Sequence, residues 1–190
     1  DHLVREAHRR DIRVILDLVF NHTSDGHAWF RASRSSLDDP RRDWYEWRDP
    51  RPGGRAPNNW RATFGGRAWT WDPATRQYYH HLFTPRQPDL NWHNPAVRAA
   101  LWQAARLWLD RGVDGFRLDV FNAWYAHPGM PDNPRWPGQR PFGRRLFLHE
   151  IDQPGMNEAL AELRALLEPY PGRFAVGEPL LADPGRAASY

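Results

Sequence analysis

The 190-residue sequence contains no cysteine and no lysine, and each absence narrows the sites it can form. Without cysteine, disulfide bonds and thiolate zinc sites are excluded, and a reducing compartment is permitted, so we expect a cytoplasmic location. All 26 basic residues are arginines, whose guanidinium groups stay protonated. Arginine usage therefore explains a pI of about 9.7 at a net charge of only +3.

A nucleic-acid partner and a membrane partner are both unexpected. The arginines are scattered among aspartates and glutamates along the whole chain, whereas nucleic-acid binding requires a basic stripe or helix face. The sequence has no apolar stretch near the length of a membrane span and no visible signal peptide. Because the chain begins at Asp1 with helical spacing already established, we expect a piece of a larger protein.

Tryptophan, by contrast, is abundant, with 11 residues in 190. Indole faces suit the C–H faces of sugar rings. Tryptophan is also highly buried on average, so packing of a loop-rich region is the alternative for any single one.

Apolar strands alternate with amphipathic helices along the chain. Arg13 to Phe20 is a nearly continuous apolar run with β-branched residues, typical of a strand buried on both faces of a parallel sheet. Val113 to Val120 and Phe174 to Glu178 are the next predicted strands. The spacing predicts helices over 95–111, with Asn94 as the N-cap, and over 156–167.

Residues from about Ser24 to Asn94 break this alternation. They are rich in Pro, Gly, Asp, Arg and Trp, show little periodicity, and are far more numerous than an ordinary strand-to-helix loop. We interpret this segment as a subdomain inserted into a βα repeat, which predicts an α/β fold with a parallel sheet. A doubly wound sheet shares the alternation, but the sequence has no glycine-rich phosphate loop.

The polar residues of the predicted strands fall at their carboxyl ends, which is where a (β/α)₈ barrel carries its functional residues. Glycoside hydrolysis needs one neutral and one ionised carboxyl group, and Asp119 and Glu178 fit this division. Arg117 shares a strand face with Asp119 and favours its ionised, nucleophilic form. Partial burial of Glu178 would raise its pKa towards that of a working acid. A structural ion pair and a chance surface carboxylate are the alternatives.

Four short segments carry a resemblance to a known family. DLVFNHTSD, QPDLN, GVDGFRLDV and VGEP, in this order, resemble conserved regions of the α-amylase superfamily (glycoside hydrolase family 13). The segment from RDWYEW to HHLF resembles the insertion of bacterial α-glucosidases and oligo-1,6-glucosidases. The resemblance covers nearly all of residues 1 to 180.

The family's fold implies a fragment of a (β/α)₈ TIM barrel, about strands 3 to 5, with an inserted subdomain after strand 3. The implied boundaries are 1–23 for helix 2 and strand 3, 24–94 for the inserted subdomain, and 95–190 for helix 3 to strand 5. The family's first two strands and its His-Asp motif, which supplies a third essential carboxylate, lie outside this segment. Since a barrel must close to hide its edges, we expect the segment alone to be inactive.

The resemblance also assigns roles to individual residues. It implies Asp119 as the nucleophile that forms a glycosyl-enzyme, Glu178 as the acid/base, and Arg117 as the residue that positions Asp119. The implied substrate-binding residues are Asp17, His22, Phe64, Phe83 and Gln87. Among these, the resemblance implies that the histidine contacts the sugar bound beside the cleavage point. Core packing of the phenylalanines and a loop hydrogen bond from the glutamine are the alternatives.

No cofactor is required on this reading, and no metal site is expected within the segment. Asn21 matches a calcium ligand of α-amylases, but calcium takes six or more oxygen ligands and the insertion has no acidic cluster. Calcium is expected only outside this segment, in the full-length protein. His80 and His81 are adjacent strand residues that point to opposite faces, so they do not form one metal site.

The function implied is that of a retaining α-glucoside hydrolase acting on the non-reducing end of maltose-type or isomaltose-type oligosaccharides. Val120 follows the nucleophile and resembles enzymes that prefer α-1,6 links, whereas Thr or Ala there resembles α-1,4 enzymes. One pocket position controls only about 10–200-fold in specificity. A transglycosylase such as a trehalose synthase and a non-catalytic barrel relative are the alternatives. We expect an oligosaccharide substrate and a monomer or weak oligomer.

Overall fold

The structure is a computed structural model that describes residues 1–134, 147–180, 185, 188 and 190. Within these residues, the strands form two separate sheets of three strands each. The helices are α1 (His2–His8), α2 (Ala28–Ser35), α3 (Pro95–Asp110) and α4 (Met156–Leu167). The strands are β1 (Ile15–Leu18), β2 (Trp47–Arg48), β3 (Trp69–Asp72), β4 (Gln77–His80), β5 (Gly115–Asp119) and β6 (Phe174–Glu178).

The first sheet is parallel, in the order β1-β5-β6. Its register pairs Asp17 with Arg117 and Asp119 with Glu178. Residues two apart on a strand share a face, and so do register partners on neighbouring strands. All four charged side chains therefore project from one face at the carboxyl end of the sheet.

The two faces of this sheet differ in exposure. Phe116 and Leu118 lie on the helix-covered face and belong to the same buried core as Leu101 of α3 and Leu163 of α4. On the other face, Ile15 of β1 is 42% exposed and Val176 of β6 is 46% exposed. The expectation that the first strand is buried on both faces is therefore wrong for this chain. β1 and β6 are the edges of the described sheet, and no described element covers the second face.

Three predicted elements, α3, α4 and β6, match the structure closely. α4 and β6 occupy the predicted residues, and α3 begins after the predicted N-cap, where Asn94 Oδ1 accepts a hydrogen bond from Ala96 N at 2.8 Å. The strands predicted over 13–20 and 113–120 are shorter in the structure, where they are β1 and β5. β1 is preceded by Val14, whose N–H donates to Asp114 Oδ2 at 2.7 Å, and β5 ends because Val120 has a left-handed backbone with φ 38°.

The second sheet lies between β1 and α3 in the chain and is antiparallel, in the order β2-β4-β3. α2 packs beside it through Phe30, whose ring contacts those of Tyr45, Trp47 and Tyr79. These aromatic residues are part of the same buried core as the helix-facing side of the parallel sheet. Packing therefore accounts for a tryptophan such as Trp47.

The last residues of the inserted segment form hydrogen bonds to the residues that follow β1. Leu90 N donates to Asn21 O at 2.9 Å. Trp92 Nε1 donates to Phe20 O at 2.9 Å, and the Trp92 ring stacks on Trp124, with centroids 4.3 Å apart. The end of β1, the inserted segment and the residues after β5 thus meet at the carboxyl edge of the parallel sheet. In the described part of the chain, every helix falls short of the length and apolar character that crossing a membrane requires.

Replacing Asn94 by Ala removes the side chain that caps α3 and should lower the free energy of unfolding by about 1 kcal/mol, since an unpaired N–H then remains at the helix start. The measurement is urea unfolding followed by circular dichroism. Gln103→Ala is the matched control, because Gln103 is exposed in the middle of the same helix. Equal stability of the two variants would contradict the capping role.

Candidate active site

Arg117 is the centre of the charged cluster on the open face. Its Nη1 lies 2.6 Å from Asp17 Oδ1 and 2.9 Å from Asp119 Oδ1, and its Nη2 contacts Glu178 Oε2. The hydrogen bond that Arg117 donates to Asp17, followed by the charges of Asp17 and Asp119, raises the pKa of Arg117 despite some desolvation. One permanently charged guanidinium is thus shared by three carboxylates that come from three neighbouring strands.

The two candidate catalytic carboxylates have different surroundings. The Asp119 side chain is 19% exposed, whereas that of Glu178 is 56% exposed. The expected partial burial of Glu178 is therefore wrong for this chain. The physical reason is that Glu178 ends β6, an edge strand with no further strand beside it among the described residues.

His22 follows β1 and is buried beside this cluster. Burial lowers its pKa, while the carboxylates of Asp89 and Asp119 act in the opposite direction. The Gln87 side-chain amide N–H donates to His22 Nε2 at 2.9 Å. A neutral imidazole that accepts this hydrogen bond is thereby held at the carboxyl edge of the parallel sheet.

A line of aromatic contacts leads outward from His22. The Phe83 ring centroid lies 5.3 Å from that of His22, and the Phe64 centroid lies 6.0 Å from that of Phe83. Phe83 is half-buried, but Phe64 is 76% exposed. Core packing is thus not the explanation for Phe64, which presents its ring to solvent.

The structure brings the sequence-predicted residues into two adjoining groups. The first is the charged cluster around Arg117, and the second is the His22 group, with Gln87 and the two phenylalanines. The electrostatic effect of Asp119 on His22 links the two groups. Paired carboxylates can transfer protons to a bound molecule. The aromatic rings beside them can pack against its apolar face.

Asp89 is a site residue that sequence reasoning missed. Its carboxylate is buried and accepts hydrogen bonds from Asn21 Nδ2 and Leu82 N, both at 3.0 Å, and lies 2.8 Å from His80 Nδ1. Asp89 thereby joins the end of β1 to β4 and to the residues before Phe83. Its position inside the QPDLN motif was the available signal, but its partners lie up to 68 positions away.

Asn21 is the residue on which a calcium site would depend, and the donor set around it does not fit one. Its amide is committed to Asp89. The described ranges contain no group of three or more His, Cys, Asp or Glu side chains arranged to hold a metal ion. His80 and His81 have different partners, since His81 Nε2 lies 2.9 Å from Thr70 Oγ1.

Glu150 is a second buried carboxyl group that the sequence pattern did not reveal. It is 2% exposed, and burial raises its pKa to about 7, partly opposed by hydrogen bonds from Asn133. Asn133 Nδ2 donates to both carboxyl oxygens, at 3.1 and 2.9 Å, and Asn133 N donates to Asn59 Oδ1. Asn133, which binds Glu150, therefore joins the region after β5 to the inserted segment.

The chain matches a known family model and known proteins over most of its length. The family model described as "Alpha amylase, catalytic domain" matches residues 1–190. A probable α-glucosidase of Rhizobium meliloti (strain 1021) is 45% identical over 94% of this chain and 34% of its own length. An oligo-1,6-glucosidase of Heyndrickxia coagulans is 42% identical over 100% of this chain and 34% of its own length.

Among solved structures, an α-glucosyl transfer enzyme is 42% identical, with a TM-score of 0.85 over 93% of this chain and 35% of that protein. The shared architecture is an α/β fold. The chain spans about a third of the length of the relatives it matches.

Glu150 should make stability depend on pH. Its folded-state pKa of about 7 lies above the ordinary value of 4.5, so the stabilisation from its neutral form is complete below about pH 4.5 and is lost as the pH rises through 7. The slope is at most about 1.4 kcal/mol per pH unit. Glu150→Gln, which stays neutral, should flatten the decline in the free energy of unfolding between pH 5 and 7.

Urea unfolding at several pH values measures this slope. The matched control is Glu168→Gln, because Glu168 is exposed. If Glu150→Gln and the control leave the same slope as the unmodified protein, the buried carboxyl group is not its source.

Proposed function

This chain belongs to the α-amylase family, as part of its catalytic domain, and from that premise we propose that the complete protein is a retaining α-glucoside hydrolase acting on the non-reducing end of short α-glucans. The observation that carries the proposal is the register pairing of Asp119 with Glu178, with Arg117 in contact with both. Two-step glycoside hydrolysis requires two carboxyl groups close together beside the scissile bond, and register partners on adjacent strands can supply such a pair.

Asp119 is the proposed nucleophile. Neighbouring strands lie about 4.8 Å apart, and retaining glycosidases keep their carboxyl groups about 5–5.5 Å apart, so register partners supply a suitable spacing. The guanidinium of Arg117, 2.9 Å from Asp119 Oδ1, orients the carboxylate and stabilises its charge. Attack of this oxygen on the anomeric carbon breaks the glycosidic bond and forms a glucosyl-Asp ester.

Glu178 is the proposed general acid/base. In the first step it donates a proton to the leaving glycosidic oxygen, and in the second it removes a proton from the water that hydrolyses the ester. Its role requires a neutral acid in the first step. Exposure of Glu178 in the described residues implies that further strands of the barrel provide that environment.

The exposed face of the parallel sheet supports a proposal for the fold of the complete protein. The chain supplies about strands 3 to 5 of a (β/α)₈ barrel, with 1–23 and 95–190 as barrel segments and 24–94 as the inserted subdomain. The exposed apolar residues Ile15 and Val176 on the charged face support this assignment, because the other strands would cover them. The catalytic site is then complete only in the whole barrel.

The inserted segment supplies the proposed sugar pocket. Asp17 and His22 would hydrogen-bond the glucosyl hydroxyls beside the cleavage point, and Phe83 and Phe64 would offer ring faces to the sugar. Gln87 orients His22 through the hydrogen bond of 2.9 Å to Nε2. The substrate is thus a short oligosaccharide with a non-reducing glucosyl unit.

Glucosyl transfer is the second candidate function, favoured by the structural match to an α-glucosyl transfer enzyme. The covalent intermediate is the same, and the two functions differ only in whether water or a sugar accepts the glucosyl group. Both need Asp119 and Glu178. The retained carboxylates argue against a non-catalytic barrel relative.

In the complete protein, Asp119→Asn should lower kcat/KM on maltose and isomaltose by at least about 10³-fold, because no covalent ester can form. Glu178→Gln should lower it by about 10²–10⁴-fold through loss of proton transfer. Mass spectrometry of the enzyme quenched during turnover should detect a glucosyl ester only when Asp119 is present.

Arg31→Gln is a control charge change at an exposed position on α2. Near-normal hydrolysis by Asp119→Asn would contradict the nucleophile assignment. The 190-residue chain alone should show no turnover in the same assay, and activity there would contradict the proposal that the site needs the remaining strands.

Val120→Thr should raise the ratio of maltose to isomaltose hydrolysis by about tenfold, within the range that one pocket position controls. Thr and Ala at this position resemble α-1,4 enzymes, so Val120→Ala should move the ratio in the same direction. The measurement is kcat/KM on both disaccharides in the complete protein. An unchanged ratio in both variants would remove Val120 as a determinant of linkage preference.

A further inference from the structure

Asn122 lies three positions after Asp119 and is fully buried, although asparagine is usually exposed. Its carboxamide pairs with the main chain of Leu180, two positions after Glu178. Leu180 N donates to Asn122 Oδ1 at 2.7 Å, and Asn122 Nδ2 donates to Leu180 O at 3.1 Å. The side chain thus holds Leu180 by both polar main-chain groups, as a neighbouring strand would.

The residue before Glu178 is held by the same turn. The Cβ of any larger residue at Gly177 would come 2.6 Å from Phe121 Cε1, so the Phe121 ring packs directly on the Gly177 backbone. Phe121 and Asn122 belong to the single 3₁₀ turn Phe121–Ala123 that follows β5. Glu178 is therefore flanked on both sides by contacts from the turn that begins at the end of the Asp119 strand.

The turn itself has a constrained backbone. Val120 has φ 38° and ψ 40°, a left-handed conformation that a β-branched residue adopts only when its surroundings impose it. Ala123 N donates to Val120 O at 2.8 Å. This conformation ends β5 and directs Asn122 towards Leu180.

The remaining groups of Asn122 fix a third segment. Its main-chain O accepts a hydrogen bond from Asp152 N at 2.7 Å, and Nδ2 also lies 3.0 Å from Asp152 Oδ1. Asn122 therefore joins the turn after Asp119, the residues before α4 and the residues after Glu178. A fully bonded, buried amide in this position determines geometry between the strands that carry the two carboxylates.

We propose that Asn122 is a positioning residue for the general acid/base, setting the placement of the Glu178 carboxyl group relative to Asp119 through Leu180. This inference rests on the proposed glycosidase function. A general acid must lie within about 2.6–3.2 Å of the oxygen that it protonates, and a misplacement of about 1 Å can lower a rate about 10²-fold. Loss of the Leu180 clamp should therefore impair protonation of the leaving group.

The leaving group separates positioning from general stability. Hydrolysis of maltose or isomaltose requires protonation of a poor leaving group, whereas α-glucosyl fluoride releases fluoride with little help from an acid. In the complete protein, Asn122→Ala should lower kcat/KM on the disaccharides by about 10²-fold and on α-glucosyl fluoride by less than about threefold. The pH profile of disaccharide hydrolysis should also change on the limb that reports the acid.

Two further variants keep the test decisive if Asn122→Ala does not fold. Asn122→Ser retains a hydroxyl at a shorter reach, and Gly177→Ala displaces the Phe121 contact on the other side of Glu178. Both should show the same dependence on the leaving group. Asn58→Ser is the matched control, because Asn58 is a buried asparagine whose partners, Met130 O and Trp69 Nε1, do not flank Glu178 in the chain, and its variant should affect all substrates equally.

Equal losses on disaccharides and fluoride in the Asn122 variants, or no loss on either, would overturn the positioning role. Glu178→Gln separates this result from failure of the proposed function. If Glu178→Gln shows the strong leaving-group dependence and the Asn122 variants do not, only the present inference fails. If Glu178→Gln leaves disaccharide hydrolysis unchanged, the proposed acid/base, and with it this inference, is wrong.

Discussion

The register of β5 against β1 and β6 is the constraint on which the charged cluster depends. Because side chains alternate between faces, a shift of one residue would turn Arg117 and Asp119 towards the helices and expose Phe116 and Leu118. The buried Phe116 and Leu118 prevent that shift, since exposing them would forfeit the transfer free energy of two large apolar side chains. Hydrophobic packing on one face thus determines the position of the charges on the other.

The inserted segment depends on buried polar contacts as much as on its aromatic core. A buried carboxylate is costly unless hydrogen bonds compensate its desolvation, and Asp89 receives them from Asn21 and Leu82. Removing the Asn21 amide would take away one of these compensating hydrogen bonds and leave Asp89 Oδ1 less well satisfied in a buried position. The same contacts that stabilise the insertion therefore place Phe83 and Gln87 beside His22, at the edge of the parallel sheet.

Helical spacing and apolar runs were sufficient to predict α3, α4 and β6, because these patterns depend on neighbours a few residues away. The exposure of Ile15 and Glu178 was not predictable in the same way. It depends on which strands adjoin β1 and β6, and a strand's own residues do not specify its neighbours. In the inserted segment only the strand at His80 was expected, and β2 and β3 were missed, since they are short and lack a clear alternation of apolar and polar residues.

The site residues also differ in whether a local motif predicts them. Asp119, Glu178 and Arg117 fall within short motifs, and the structure brings them into contact. Glu150 and Asn122 have no local signature, because their burial and partners arise from segments distant in sequence.

The strained backbone of Val120 shows why such residues matter. A left-handed valine is unfavourable in itself, and the contacts of Phe121 and Asn122 help to hold the turn in this conformation. The strained turn follows Asp119 directly and contacts the residues on both sides of Glu178, so a displacement of the turn would move one carboxylate relative to the other.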